Sequence, residues 1–353
     1  MIRKISATII AALVCYGTAL AQTDDNANKK TALKFSGSAD VYVKYDMLKN
    51  PANTYTSFTK SHSSFELGMV SGKVEHQGNK VSFVGDIGFG KRVEQFTYND
   101  NKSQIMIKQL YLTYSPASFL KLSMGSWGTH VGYELVDPYL NRNYSMSYMF
   151  SYGPFFHTGL KADFAFGQHA FMVGLTNPTD LKSALSTSTK YFIGQYSYTT
   201  GNGNFKSYFN LLAGKQKDDS LKVSQLDVVM TQKVNDHFSL GLNATVSNSK
   251  YDVEDTKKWW GTALYVNYDA AKLWGATLRT EYFNDSERLN VFSNTASGGS
   301  VLSNTLSLNF KLSALTIVPE MRYEYANKPI FSNLEGGVKN HDTNFLLAAV
   351  YQF

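Results

Sequence analysis

The feature that most constrains the fold of this chain is a period-two alternation of apolar and polar residues, repeated in short segments along most of its 353 residues. In residues 237–249, the even positions from 238 to 246 are all apolar, whereas the odd positions from 239 to 247 are Ser, Gly, Asn and Thr. Successive side chains of a strand point to opposite faces, so each segment predicts a strand with one apolar and one polar face.

About sixteen such segments follow one another, and short turn sequences such as Gly201-Asn202-Gly203 join them in pairs. We predict strands at residues 33–46, 62–75, 80–90, 103–115, 118–128, 157–166, 169–177, 188–199, 204–215, 219–232, 237–249, 256–269, 272–284, 299–312, 314–326 and 342–353.

The connections between these segments alternate between very short turns and longer polar loops. After the first 21 residues, no apolar run reaches the length of a membrane helix. Aromatic residues make up 14% of the chain, as suits strands that face lipid with every second residue. The pattern predicts an all-β fold, a transmembrane antiparallel up-and-down β-barrel with turns in the periplasm and loops outside.

The longest interruption is the segment 129–156, which carries both signs of charge and many Tyr, Phe and Met residues. A long insert in a compact protein is usually functional or disordered, and disordered segments are poor in aromatic residues. We therefore expect this third external loop to fold into the lumen of the barrel and to narrow it.

The N-terminus has the pattern of a secretory signal peptide at residues 1–21, with Arg3 and Lys4 ahead of an apolar core and small residues at 19 and 21. Residues 22–32 form a polar lead, and residues 33–353 form the single barrel domain. Cleavage would remove Cys15, the only cysteine of the chain. These features predict export to the bacterial outer membrane.

The last strand ends in Tyr351-Gln352-Phe353. The aromatic carboxyl-terminal Phe353 is similar to the signal that the outer-membrane barrel assembly machinery reads. Aromatic residues near other strand ends suit two belts at the membrane interfaces. On the loop side we expect these to be Trp127, Trp259, Trp260, Tyr282 and Phe283.

The block around the long insert resembles the OmpL-like β-barrel porin family of Bacteroidetes. Its motifs are Gly132-Tyr133-Glu134, then Asn143-Tyr144-Ser145-Met146-Ser147, and then Pro154 followed by His157-Thr158-Gly159. Family members often have Arg where this chain has Met146. The resemblance implies an outer-membrane porin-like protein and no particular substrate.

The charges of the long insert are the candidate pore constriction: Glu134, Asp137 and Arg142. Rings of charged and polar groups decide which solutes pass a pore. They would face lumen-wall charges, for which the candidates are Lys161, Asp163, Arg279, Glu281, Glu320, Arg322 and Glu324. The alternative is that these groups are ion pairs that hold the loop in place. The loop aromatics have two readings as well, packing against the wall or forming a sliding surface for a nutrient.

The function predicted from these features is passive diffusion of small hydrophilic solutes through an outer-membrane porin. A substrate-specific or plugged barrel, which binds a nutrient or partner through its loops, is the alternative. Seven histidines lack metal-site spacing and no Gly-x-Ser-x-Gly motif occurs, so we expect no enzyme, metal or cofactor. Interspersed charges predict no nucleic-acid binding. The expected partners are outer-membrane lipid and the assembly machinery, and the sequence leaves a homotrimer open.

Overall fold

The computed structural model describes residues 33–100, 106–185, 188–216, 221–251, 255–271 and 273–353. Within these residues, sixteen long antiparallel strands form one closed barrel in which neighbours along the chain pair and the last strand pairs with the first. The predicted fold class is confirmed. The predicted signal peptide (1–21) and polar lead (22–32) lie outside the described residues.

Every barrel strand begins and ends within four residues of its predicted bounds. The strands are β1 (Leu33–Asp46), β2 (Ser64–Gln77), β3 (Val81–Phe89), β4 (Ile107–Ala117), β5 (Leu120–Gly128), β6 (Phe156–Phe166), β7 (His169–Thr176), β8 (Tyr191–Thr199), β9 (Phe205–Lys215), β10 (Leu221–Lys233), β11 (Phe238–Tyr251), β12 (Lys257–Ala271), β13 (Trp274–Asp285), β14 (Gly299–Leu312), β15 (Leu315–Ala326), β16 (Phe331–Ser332), β17 (Val338–Lys339) and β18 (His341–Gln352), of which β16 and β17 form a small separate hairpin.

Helical structure in the described residues is confined to short pieces between strands. These are the α-helices α1 (Lys91–Phe96) and α2 (Tyr148–Tyr152) and the 3-10 turns Pro51–Asn53 and Pro138–Leu140. None of the helices in these ranges is long and apolar enough to cross a membrane.

The two faces of the strands differ as the alternation predicts. In β14, Leu306 and Phe310 are exposed, whereas Thr305 and Ser307 are completely buried. A Lys or Arg turned toward the middle of a bilayer would cost about 2–4 kcal/mol, which favours charge on the opposite face. The exposed face of the barrel is therefore apolar, and we call the opposite, largely polar face the inner face.

A β-bulge explains why Lys108 fits neither face of a regular β4. Asp86 of β3 pairs with Gln109, but the next residue, Ile87, pairs with Ile107, so Lys108 is the extra residue. A bulge re-aims the side chain of the strand that carries it. Lys108 thereby reaches the inner face, where it is 1% exposed.

The prediction that Trp127, Trp259 and Phe283 belong to an interfacial belt is wrong. All three side chains are buried, and Trp259 packs against Phe283 with ring centroids 5.4 Å apart. The neighbouring Trp260 is partly exposed on the outer face and contacts Tyr282 at 5.3 Å. Adjacent residues of a strand point to opposite faces, so only one member of each aromatic pair can face lipid.

Candidate functional site

The segment 129–156, called the third loop from here on, connects β5 to β6 and has ordered local structure. The Asn141 side chain accepts a hydrogen bond from the Leu135 N–H at 3.0 Å and donates one to the Leu135 carbonyl at 2.5 Å. Ser147 caps α2, because its hydroxyl accepts a hydrogen bond from the Phe150 N–H at 3.1 Å. These bonds satisfy backbone groups that a loop without regular structure would leave unpaired.

Glu134 forms an ion pair with Arg279 of β13. Its carboxylate also accepts hydrogen bonds from the Ser147 N–H at 2.7 Å and from the Tyr265 hydroxyl at 3.3 Å. Glu134 is 4% exposed and Arg279 is 0% exposed. A buried ion pair is stable only when such additional hydrogen bonds satisfy both partners, and Arg279 donates a further bond to the Ser145 carbonyl at 2.8 Å.

Asp137 pairs with Lys108, the bulge residue of β4. The Lys108 Nζ lies 2.5 Å from Asp137 and 3.2 Å from Asp86. All three side chains are buried, so one lysine is shared by two carboxylates, one from the loop and one from the wall. The bulge therefore supplies the cation that holds this part of the third loop.

Arg142 pairs with Asp269 near the end of β12. Two guanidinium nitrogens reach the two carboxylate oxygens at 3.1 and 2.6 Å, which is the bidentate geometry that arginine forms with carboxylates. Lys311 of β14 lies 3.8 Å from the same carboxylate. Arg142 keeps a quarter of its side chain exposed, unlike the two loop carboxylates.

Two wall glutamates accept backbone N–H groups of the third loop. Glu320 accepts hydrogen bonds from the Tyr144 N–H at 2.8 Å and the Ser145 N–H at 3.2 Å. Glu281 accepts bonds from the first two N–H groups of α2, those of Tyr148 and Met149, both at 2.9 Å. Carboxylates that bond two N–H groups in this way fix the position of the backbone as well as of a side chain.

The other two wall candidates of β15, Arg322 and Glu324, also contact the third loop. Arg322 donates a hydrogen bond to the Met146 carbonyl at 2.7 Å and pairs with Glu324 at 2.8 Å. Glu324 also accepts the Tyr148 hydroxyl at 2.6 Å. The five wall candidates of β13 and β15 thus all contact the third loop, mainly through its backbone between residues 144 and 149.

Lys161 and Asp163 behave differently from the other wall candidates. They lie on the inner face of β6 and pair with each other at 3.0 Å. Lys161 also lies over the Trp127 ring at 5.5 Å. Neither side chain forms a hydrogen bond or ion pair with a described residue of the third loop.

The aromatic residues of the third loop pack into three buried clusters, and the cluster of Tyr144 also contains Tyr42 of β1 and Val318 of β15. Phe150, Phe155 and Phe156 pack with Phe58 and Phe96 from the first two external loops. A third cluster contains Tyr148, Met149, Trp259 and Phe283, together with apolar residues of the neighbouring strands and loops. This arrangement agrees with the packing interpretation of the loop aromatics.

Sequence reasoning missed several residues of the wall strands and of α1 that contact the third loop. Arg92 lies 4.9 Å from the ring of Tyr144, whose hydroxyl donates to Asp40 of β1 at 2.5 Å. Asp227 of β10 accepts the Gly132 N–H at 3.0 Å. The period-two alternation places Asp40 and Asp227 on the polar face of their strands. It does not indicate which residues of the third loop these carboxylates bind.

The end of the third loop is anchored by Asp180, which lies in the loop after β7. Its carboxylate accepts the N–H groups of Phe155 at 2.7 Å and Phe156 at 3.0 Å. Burial raises the pKa of Asp180 from 3.8 to about 7, although these hydrogen bonds oppose the shift. At the other end of the loop, burial lowers the pKa of His130 to about 4. His130 is therefore neutral at pH 7.

Phe353, the candidate assembly signal, is exposed and follows the last residue of β18. Its backbone exchanges two hydrogen bonds with Gly37 of β1, at 3.0 and 3.1 Å. Its role in assembly stays a prediction. Within the described ranges, no group of three His, Cys, Asp or Glu side chains is arranged to hold a metal ion.

Solved porin structures share this fold at low sequence identity. The OmpT structure of Vibrio cholerae in its trimer form superposes with a TM-score of 0.61 and 12% identity, covering 92% of this chain and 100% of that chain. An anion-selective porin from Comamonas acidovorans gives 0.62 and 10%, covering 92% and 100%. The channel DcaP of Acinetobacter baumannii gives 0.61 and 13%, covering 91% and 97%. At these identities the likeness concerns the fold alone.

No curated protein sequence matches the chain. A family model described as "Putative beta-barrel porin-2, OmpL-like" matches residues 32–353, the whole of the barrel. The described barrel and this match together place the protein in the outer membrane. The chain belongs to the OmpL-like β-barrel porin family.

Proposed function

We propose that the protein is a channel for passive diffusion of small hydrophilic solutes across the outer membrane, and that the third loop narrows its lumen. Sixteen-stranded barrels enclose an aqueous channel, whereas the interior of eight-stranded barrels is filled by side chains. Family membership and porin-like fold support the channel, and the contacts of the third loop support the narrowing.

The observation that carries the proposal is that the third loop joins opposite sides of the ring. Asp137 binds Lys108 on β4, and Arg142 binds Asp269 on β12. These two strands lie eight positions apart in a ring of sixteen. A segment that binds the inner face on both sides of a closed ring crosses the space inside it.

The inner face is unevenly covered, which supports a constriction rather than a complete plug. Thr305 and Arg279 on the loop-binding side are 0% exposed. On β6, by contrast, the side chains of Lys161 and Asp163 keep 15% and 32% of their surface. The proposed path for solutes runs along that second side.

The alternative, a plugged barrel that binds a nutrient or partner, is favoured by the aromatic packing. Tyr148 and Phe156 are completely buried against wall and loop residues. A loop this well packed would open only at considerable cost in free energy. The two candidates differ in conductance, which is expected for the channel and absent for the plug.

The test is single-channel conductance of the mature protein in a planar bilayer. We expect a steady conductance, and a large increase when residues 132–143 are deleted, because that deletion removes all three constriction candidates. The matched control is deletion of 333–337. These residues form the exposed tip of another long loop on the same side of the barrel, so their deletion should leave conductance unchanged. Unchanged conductance in the 132–143 deletion would contradict the constriction, and a folded but silent wild type would favour the plug.

We also propose that residues 1–21 are cleaved on export, that the assembly machinery reads Phe353, and that the barrel forms homotrimers in outer-membrane lipid. A trimer form is described for OmpT of Vibrio cholerae. N-terminal sequencing of the mature protein should begin at Gln22, and chemical cross-linking in intact membranes should give a trimer band. A start within the barrel or a monomer band alone would contradict these proposals.

A further inference from the structure

The inner face near the short turns carries more accessible basic than acidic side chains. We call this end of the barrel the turn mouth. Seven lysines lie on the inner face within six residues of a turn-side strand end, and Arg142 reaches the same end through Asp269. These lysines are Lys34, Lys73, Lys121, Lys161, Lys206, Lys233 and Lys311.

Alternation and register place these side chains on the inner face. Lys121 alternates with the exposed outer residues Leu122 and Met124, and it pairs across the ladder with Asp163. Lys206 pairs with a threonine on each neighbouring strand, Thr199 and Thr231. Paired residues in adjacent strands share a face, so each lysine has polar neighbours there.

Every accessible side-chain carboxylate that the structure describes at the turn mouth is paired with a basic group. Glu75 lies 2.8 Å from Lys73, and Lys34 approaches it at 3.9 Å. Asp163 pairs with Lys161, and Asp269 pairs with Arg142 and Lys311. In the turn after β10, Asp236 pairs with Lys233 at 2.6 Å. Four side-chain carboxylates therefore face eight basic groups.

Two lysines of the turn mouth form no ion pair in the described ranges, although Asp163 lies opposite one of them, Lys121, across the ladder. Lys121 is exposed and Lys206 is half-buried, and no ion pair involves either one. Unpaired charges on a water-filled wall attract ions of opposite sign over about one Debye length, which is about 8 Å at physiological ionic strength.

The carboxylates that bind the third loop do not offset this charge in the solute path. Glu281 is 0% exposed, and Glu134, Glu320 and Glu324 are each 5% exposed or less. Their oxygens are occupied by arginine, hydroxyl and N–H donors, as described above. Charges that permeating ions can approach in water are therefore mainly positive.

We infer that the turn mouth makes the channel favour small anions, such as inorganic ions and solutes bearing carboxylate or phosphate groups. The inference rests on the proposed channel function and names the class of solute that it favours. Each accessible lysine lowers the energy of an anion and raises that of a cation by the same Coulomb interaction. Lys121 and Lys206 contribute most to this preference because neither forms an ion pair with a described carboxylate.

The experiment is the reversal potential of the full mature protein in a planar bilayer under a KCl gradient. We expect wild type to favour chloride over potassium. The Lys121→Gln/Lys206→Gln variant should lower the chloride-to-potassium permeability ratio roughly threefold, as expected for removal of two partly screened charges. The control is Lys328→Gln, an exposed lysine in an external loop, which should leave the ratio unchanged.

The outcomes separate this inference from the function on which it rests. A conducting wild type that favours potassium, or a double variant with an unchanged ratio, would overturn the anion preference and leave the channel intact. A barrel that migrates as folded in an unheated gel but carries no current would overturn both. Charge reversal, Lys121→Glu/Lys206→Glu, should shift the ratio further in the same direction as the glutamines, and a smaller shift would also contradict the inference.

Discussion

The inner faces of β13 and β6 follow the same alternation but handle charge in opposite ways. Arg279 and Glu281 of β13 are 0% exposed, and both bind the third loop. Lys161 and Asp163 of β6 pair with each other and stay partly exposed. Buried charges require partners with the correct geometry, whereas exposed charges are stabilised by water. The buried charges of β13 therefore fix the position of the third loop, whereas the exposed pair on β6 does not contact it.

Removing a buried wall charge is the strongest way to test this comparison. Arg279→Ala leaves Glu134 buried without its cation, which should lower the free energy of unfolding by about 3–5 kcal/mol. Urea unfolding in lipid or detergent measures the loss. The same variant should raise conductance, because it frees the middle of the third loop.

The control for this variant removes both charges together. Glu134→Gln/Arg279→Met removes both charges of the pair, so it should lose less stability than Arg279→Ala alone. If the single variant were as stable as wild type, the ion pair would not hold the loop.

The pH dependence of the loop anchor gives a second test. Because burial raises the pKa of Asp180 from 3.8 to about 7, its carboxyl group binds protons more tightly in the folded protein. The stabilisation is fully present below about pH 4 and is lost as pH rises through about 7. Hydrogen exchange of the Phe155 and Phe156 amides, corrected for intrinsic rates, should show falling protection over this range.

The Asp180→Asn variant provides the control for the pH test. An amide does not titrate, so the pH dependence of protection at Phe155 and Phe156 should disappear. A wild-type protection that stays constant between about pH 4 and 8 would rule out Asp180 as a titrating anchor.

The smallest change in stability is expected for the exposed ion pair of β6. Lys161→Gln breaks a partly exposed ion pair with Asp163 and should change the free energy of unfolding by less than about 1 kcal/mol. The same urea titration measures it. A loss as large as that of Arg279→Ala would erase the distinction between the two sides of the wall.

The barrel could be predicted from the sequence because its signal is local. Turn residues and alternation within each segment fix the strands and the polar face of each strand, including the faces of Arg279 and Glu320. Local alternation also has limits, since Lys108 could be assigned only after pairing revealed the bulge in β4. Strict alternation within β12 assigns the adjacent residues Trp259 and Trp260 to opposite faces, so both could not belong to the lipid-facing belt.

The contacts of the candidate site could not be predicted, because they join residues far apart in the chain. Glu134 and Arg279 are separated by 145 positions, and Arg142 and Asp269 by 127. Many carboxylates on the inner face would suit a given loop cation equally well by pattern alone. Only the pairing of the strands in a closed ring and the contacts of the third loop select one.

The most direct test of the account is to link the third loop covalently to the wall. The Asn143 side chain donates a hydrogen bond to the Ser307 hydroxyl of β14 at 2.6 Å, so the loop and the wall are in direct side-chain contact here. The only cysteine, Cys15, lies in the predicted signal peptide, so new thiols have no competitor in the mature chain. We predict that the Asn143→Cys/Ser307→Cys variant forms a disulfide with conductance close to that of wild type, whereas Asn143→Cys/Ser197→Cys forms none. Free, reagent-accessible thiols in the first variant, in a folded barrel, would contradict the account.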